Sequence, residues 1–185
     1  MEAGAKSAAP GELELVRQFL NTIDIEDGIE EIGTPAQLGV WLAEHGLSKG
    51  RQLGDGDVRR AIAMREGLRA MTLANNGEPL PRDAVSRLNS IAGEVQLRVR
   101  FDEHGRPALE PVGVGPEAPL GELLAIVFRS VAEGTWPRLK ACRADTCQWV
   151  FYDHSKNRSG TWCSMAVCGN RAKARSYRER HGHEE

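Results

Sequence analysis

The sequence predicts an α+β protein: a mostly helical N-terminal domain with a β-hairpin, followed by a small four-cysteine module ending in a basic helix. Three observations carry that reading. Apolar residues recur at helical spacing over most of the first 135 residues. The period drops to two at Val95, Leu97, Val99 and Phe101, which alternate with Gln96, Arg98 and Arg100. All four cysteines lie between residues 142 and 168. The predicted division is an α+β domain over 11–135 and a cysteine module over 136–183.

In chain order, Met1–Pro10 is small and polar with one lysine. It lacks the form of a signal peptide and is expected to fray. Residues 11–25 set Leu13, Val16, Phe19, Leu20 and Ile23 on one helical stripe. A looser Gly- and Glu-rich stretch follows. Thr34-Pro35-Ala36-Gln37 reads as a helix start: Thr34 caps, Pro35 suits the first helical position, and Gln37 reaches back to complete a capping box. That helix buries Leu38, Trp41 and Leu42 and ends near Gly46. A polar loop spans 47–56. Asp55 or Asp57 then caps a long helix to about Ala74, with Val58, Ile62, Arg65 and Leu68 along it and Asn75-Asn76-Gly77 as its stop. Pro81 opens a helix carrying Val85, Leu88 and Ile91 to Gly93. The alternating strand turns at Asp102–Gly105 and returns over Arg106–Val112, held to an edge by Pro107 and Pro111. A Gly/Pro linker leads to a helix from Leu120 to Glu133. Its predicted buried face is Leu120, Leu123, Leu124, Val127, Phe128 and Val131. Gly134 ends it, and Trp136-Pro137 marks the passage into the last module.

Several function classes fall away. The longest apolar run, Leu123–Phe128, is far too short to span a bilayer, and the expected location is the cytoplasm. No phosphate-binding glycine loop or catalytic triad is visible, and His45 and His104 read as surface residues. No enzyme is expected; Asn21 and Asp24, the best candidates for a polar pocket, belong more economically to a helix end. The net charge of −2 hides an asymmetry. From Arg138 onward ten Lys/Arg face five Asp/Glu, for +5, whereas the preceding residues carry 14 against 21, for −7. A basic back suits a polyanion. Unevenly solvated charge is the plain alternative.

The cysteines form Cys142-x4-Cys147-x15-Cys163-x4-Cys168. Paired thiols at short spacing, with a spacer long enough for a hairpin, suit the four tetrahedral corners of Zn2+. Disulfides or unrelated buried thiols are the alternatives. Four thiolates leave no open coordination position, so the metal is expected to be a single structural zinc. Trp149-Val150-Phe151-Tyr152 offers a strand and apolar cover in the spacer. Trp149, Phe151 and Trp162 read as packing around the metal in preference to stacking on bases. Gly169 is expected to give an unusual turn after the last ligand. A helix over Asn170–His181 then follows, with no Gly or Pro inside it. Arg171, Arg175 and Arg178 fall on one face, with Lys173 and Arg180 on a second strip. These five, with Lys156 and Arg158 in the spacer, are the candidate nucleic-acid contacts. For Arg171 two roles stay open: offsetting the −2 charge of a zinc tetrathiolate, or meeting phosphate.

The run Cys142…Cys147-Gln-Trp-Val-Phe-Tyr-Asp153-His-Ser155…Trp162-Cys163-Ser164-Met165…Cys168-Gly169-Asn170-Arg171 closely resembles the CGNR zinc finger, named for its last four residues. One departure is Gly160-Thr161, where relatives often carry arginine, which removes positive charge from that edge. Upstream, Phe19-Leu20-Asn21-Thr22 and Thr34-Pro35-Ala36-Gln37-Leu38…Trp41-Leu42 are similar to the ABATE domain that commonly precedes this finger. The resemblance implies a stress-related bacterial transcription regulator. Its finger would bind DNA, and its front domain would sense a small-molecule or protein effector or mediate oligomerisation. A zinc-stabilised protein-interaction module and an RNA-binding protein are the competing readings. The first of these requires exposed Trp149 or Trp162.

Overall fold

Helix α1 (Leu13–Leu20) turns Leu13, Val16, Phe19 and Leu20 into the core, as its stripe predicts. It stops five residues earlier than expected, at Asn21. Thr22 donates its hydroxyl back to the Phe19 carbonyl, and the Asn21 side chain is engaged far along the chain. Ile23 leaves the stripe and joins a two-residue strand. The computed structural model describes residues 8–48, 52–113, 115 and 117–181. Residues 1–7 of the segment expected to fray, the middle of the 47–56 loop, part of the Gly/Pro linker and the end of the 136–183 module lie outside the described residues. Over 8–10 the expected fraying is not found, since Ala9 is buried and its N–H donates to Glu14 Oε2.

The Gly- and Glu-rich stretch forms a small antiparallel pair, β1 (Ile23–Asp24) and β2 (Ile29–Glu30). Asp24 Oδ1 accepts the N–H groups of Glu26 and Asp27, and Gly28 takes a φ of 68°, so this tight turn closes without a penalty from a Cβ. Helix α2 (Pro35–Glu44) begins as read, with Thr34 accepting the Gln37 N–H. The capping box is only half made. Gln37 Oε1 accepts the Thr34 hydroxyl and does not reach the Thr34 backbone.

Helix α3 (Asp55–Asn75) is the long central element. Its cap is Gly54; Asp57 supplies the reciprocal bond, accepting the Gly54 N–H at 2.8 Å. Helix α4 (Arg82–Glu94) crosses it. The contact face of α4 is Ala84, Leu88 and Ile91, while Val85 points outward, contrary to expectation. Gly67 makes the crossing close: a Cβ there would lie 2.5 Å from Leu88 Cγ.

Strands β3 (Leu97–Phe101) and β4 (Pro107–Pro111) pair antiparallel with Val99 opposite Leu109. They flank helix α5 (Ala118–Ala132), whose Leu120, Leu123, Ile126 and Val127 fill the core. Two predicted core residues of α5 are instead exposed, Phe128 at 63 % and Val131 at 53 %. Val99 and Phe101 are exposed as well. The apolar stripe of α5 is wider than the core beneath it, so helical spacing alone overstates the buried face.

The chain continues through a 3₁₀ turn (Trp136–Arg138) into β5 (Leu139–Ala141), which pairs antiparallel with β6 (Val150–Tyr152). Leu139, Ala141 and Val150 are fully buried in the same cluster as Val16, Phe19, Met64 and Leu123. The cysteine-bearing segment therefore has no separate core. Its hairpin is laid onto α1 and α3. Among the described residues, no helix is long and apolar enough to cross a membrane.

Because the α3–α4 crossing depends on a missing side chain, Gly67→Ala is expected to destabilise the protein by about 1–3 kcal/mol through overpacking. Urea denaturation checks this; an unchanged or raised midpoint would remove Gly67 from the packing account.

Candidate metal centre and basic helix

Cys142 follows β5 directly, and its N–H donates to the Trp149 carbonyl at 3.0 Å, adding a rung to the β5–β6 ladder. The Ala144 carbonyl then accepts the N–H groups of Cys147 and Gln148. Gln148 closes this turn with a left-handed φ of 47°. Cys142 and Cys147 are thereby brought side by side. The second pair straddles a π-helical turn, Met165–Gly169, with Cys163 before it and Cys168 within it. The unusual turn expected at Gly169 is this π turn, and Gly169 takes no left-handed φ in it. The glycine is needed for space, since a Cβ would meet Met165 Sδ at 2.8 Å and Trp162 Cδ1 at 3.3 Å.

The four Sγ atoms lie within 4.8 Å of one another. Cys147–Cys163 measures 3.6 Å and Cys163–Cys168 measures 3.7 Å. A tetrahedron with Zn–S bonds of about 2.3 Å has sulfur–sulfur edges of about 3.8 Å, so the spacing fits zinc. None of the four is in a disulfide. Charge supports the same conclusion. Hydrogen bonds from the Cys147 and Cys163 thiols pull the Cys142 pKa down to about 2. The same bond to Cys142 pushes Cys147 up to about 12, and Cys163 is raised by its bonds to Cys142 and Cys147. Burial and then the Cys142 charge raise Cys168. Four like charges this close cannot coexist unaided; a divalent cation lets all four ionise.

Residues 138–181 match the model of the CGNR zinc finger, and residues 13–134 match the ABATE model, described as "Putative stress-induced transcription regulator". The chain belongs to the ABATE family. No curated protein matches it. Its C-terminal CGNR zinc finger carries one structural zinc site at the cysteine cluster. Both families are of regulator or zinc-finger type.

Two layers of polar contacts surround the cluster of this ABATE–CGNR chain; sequence reasoning missed the first and quoted Asp153 and Ser155 of the second without their role. The first comes from α3. Asn76 donates through its side-chain amide to Ala141 O and Thr161 O, both at 2.8 Å. Asn75 donates likewise to Trp136 O and Leu139 O. One helical heptad before Asn76, Arg69 donates to Gln148 O at 2.9 Å and also to Leu20 O. Carbonyls beside Cys142 and Cys147, and one two residues before Cys163, are thus held by one helix. Asn21 adds a reciprocal pair with Val150, Nδ2 to O and Oδ1 from N, each 2.8 Å. The paired asparagines at 75 and 76 read in sequence only as a helix stop.

The second layer is the Asp-x-Ser segment. Lys140 Nζ donates to Asp153 Oδ2 at 2.8 Å and to the Arg158 and Gly160 carbonyls, using all three protons. Asp153 also accepts the N–H groups of Ser155 and Gly160. Burial opposes ionisation of Asp153, but Lys140 and these donors outweigh it and hold the carboxyl below its usual range. Gly160 is explained here too, because a Cβ would lie 2.9 Å from the Asp153 carboxylate.

Helix α6 (Asn170–His181) grows out of the π turn with the predicted bounds. It has no buried residue, and its five cations face the single acid Glu179. Arg171, Lys173, Arg175, Arg178 and Arg180 are all exposed. Arg178 and Arg180 donate to carbonyls of their own helix. Arg171 donates to Glu26 Oε1 at 2.6 Å. Its pKa is raised first by the hydrogen bond to Glu26 and then by the charge of that carboxylate. Lys156 and Arg158 are exposed on the loop following Asp153, apart from α6 in the chain, and no described hydrogen bond or ion pair joins them to it. Phe151 is buried, while Trp149 and Trp162 are half-buried.

An all-polar helix such as α6 has little stability of its own. Removing zinc with a chelator is therefore expected to abolish amide protection over residues 163–181 while α1, α3 and α5 stay protected; hydrogen exchange followed by mass spectrometry reads this directly. Simultaneous loss everywhere would show that the shared core also rests on the metal. Asp153→Asn strands a buried ammonium and is expected to cost about 3–5 kcal/mol at neutral pH. Because the folded carboxyl titrates below its unfolded value of about 3.9, its stabilisation is complete above that value and fades as pH falls through the folded pKa. Urea melts of the two proteins should converge in acid.

Proposed function

We propose that this chain is a cytoplasmic DNA-binding transcription regulator. Its zinc fixes the π turn, and α6 presents arginines to the duplex backbone. The observation that carries this reading is α6 itself: a cationic helix with no buried residue, growing out of the cysteine cluster. Arg171, Arg175 and Arg178 lie within about 60° of one another around the axis, suited to a run of phosphates. Lys173 and Arg180 lie about 180–200° away from Arg171, where they would meet the opposite wall of a groove. Lys156 and Arg158 would extend the footprint along the backbone. All four cysteines act as zinc ligands. Arg171 serves the duplex by exchanging its Glu26 carboxylate for a phosphate.

The 11–135 and 136–183 division is one of roles, joined by a single core. The front domain regulates, and its open groove of about 490 Å³ beside Glu12, His45 and Glu122 is the place for an effector. The protein-interaction reading gains no support from the aromatics, since neither Trp149 nor Trp162 is exposed.

Anisotropy titration of the zinc-loaded protein against random duplex DNA tests the proposal. Affinity should fall with salt at a log–log slope of about −0.9 per phosphate neutralised, and Arg175→Ala/Arg178→Ala should reduce that slope by about 2. An absence of binding at low salt would refute the reading, and preferential competition by structured RNA would move the function to that polymer.

A further inference from the structure

The hairpin β3–β4 and helix α5 leave an apolar face without a partner in the described chain. Val99 is 59 % exposed and Phe101 64 %, and both lie on the same side of β3. Phe128 and Val131 on α5 are exposed to a similar degree. Between the two elements runs a groove of about 260 Å³, lined by Val99, Leu109, Ala125, Phe128 and Ala132. The two phenylalanines alone leave roughly 200–300 Å² of apolar surface in water, judged from the area such rings ordinarily bury. With Val99 and Val131 beside them the exposed apolar surface reaches the range of a few hundred Å² typical of the largest patch on a protein, which is often functional.

We infer that this face is the contact of a two-fold homodimer, in which Phe101 of each copy enters the groove of the other. The face carries both a projecting ring and a receiving groove, which is what a self-complementary, two-fold interface requires. The groove is large enough, since a cavity of about 150 Å³ already takes benzene. Charge argues for a second apolar face over a charged ligand. The one ion lining the groove, Arg129, is paired with Glu12. Arg98 and Arg100 lie on the other side of the hairpin, paired with Glu110. Two such faces would meet without opposed like charges at their centre. A stable interface buries about 800 Å² per partner, so the exposed rings and valines would form its apolar centre and the polar surface around them its rim.

Sedimentation equilibrium of the zinc-loaded full chain, without DNA, tests this independently of the proposed function. A concentration-dependent dimer is expected. Phe101→Ser should weaken it by about 30-fold, the loss typical of a central anchor, and Phe128→Ser should weaken it as well. Arg98→Glu, on the opposite face of the hairpin, should leave it unchanged. Because the substituted side chains are exposed, circular dichroism and zinc content should match wild type. A monomer at all concentrations overturns the inference, whether the face is then covered by another segment or by a different protein. So does a dimer that survives both phenylalanine substitutions. DNA binding by a monomer would leave the function standing and this interface refuted.

Discussion

Helix α3 and the metal-bearing segment are joined through side-chain hydrogen bonds to backbone carbonyls that are buried or half-buried. Asn75, Asn76 and Arg69 reach five such groups between Trp136 and Thr161. An unsatisfied buried polar group costs about 1–3 kcal/mol, so this set weighs heavily against the marginal stability of a domain. It also has a geometric effect. The cysteines that gather at one point start from strands and turns whose positions are set by a helix of the front domain. Metal then closes a geometry that the polypeptide has already nearly reached.

Charge inside the protein follows the same logic of complete sets. Arg65 is almost fully buried, yet its guanidinium is forked onto both Glu30 oxygens and also meets Glu66 and Thr22. Burial opposes its charge, and the bonds to Glu30 and Glu66 more than restore it. Lys140 with Asp153 is a second closed set. Among the described residues, no buried side-chain nitrogen or oxygen lacks a partner. By contrast, the charges of α6 are exposed, and among the described residues Arg171 alone of its five cations is paired with a carboxylate, so the internal ions serve architecture while the external ones face solvent.

Much of this was legible in the residues, and the reasons for the rest are physical. Four thiols at short paired spacing announce a metal site because few other arrangements use them so densely. The bounds of α6 follow from a run free of Gly and Pro. The β3–β4 hairpin follows from the alternation and the turn at Asp102–Gly105, but the burial that the alternation implies does not, since Val99 and Phe101 are exposed. What could not be read locally was any feature decided at long range. Nothing near Asn21 reveals that its amide is needed at Val150, so the apolar stripe carries the predicted helix on to residue 25. Leu139–Ala141 is too short to show a period. The width of the α5 stripe conceals which part faces the core and which faces outward, and Arg65 and Arg69 disclose their partners only in three dimensions.

The bond pair between Asn21 and Val150 spans 129 positions. The last strand to enter the hydrophobic cluster is therefore translated long after the first helix. While the ribosome is still at work, α1 has an open flank, and the amides of α3 have only water to bind. Contacts this distant in sequence raise the entropic barrier to folding and slow it. Assembly of this chain is consequently a late, whole-molecule event, completed after release of the C-terminal stretch, and a truncation anywhere before Tyr152 removes part of the interior that the first twenty residues were shaped to meet.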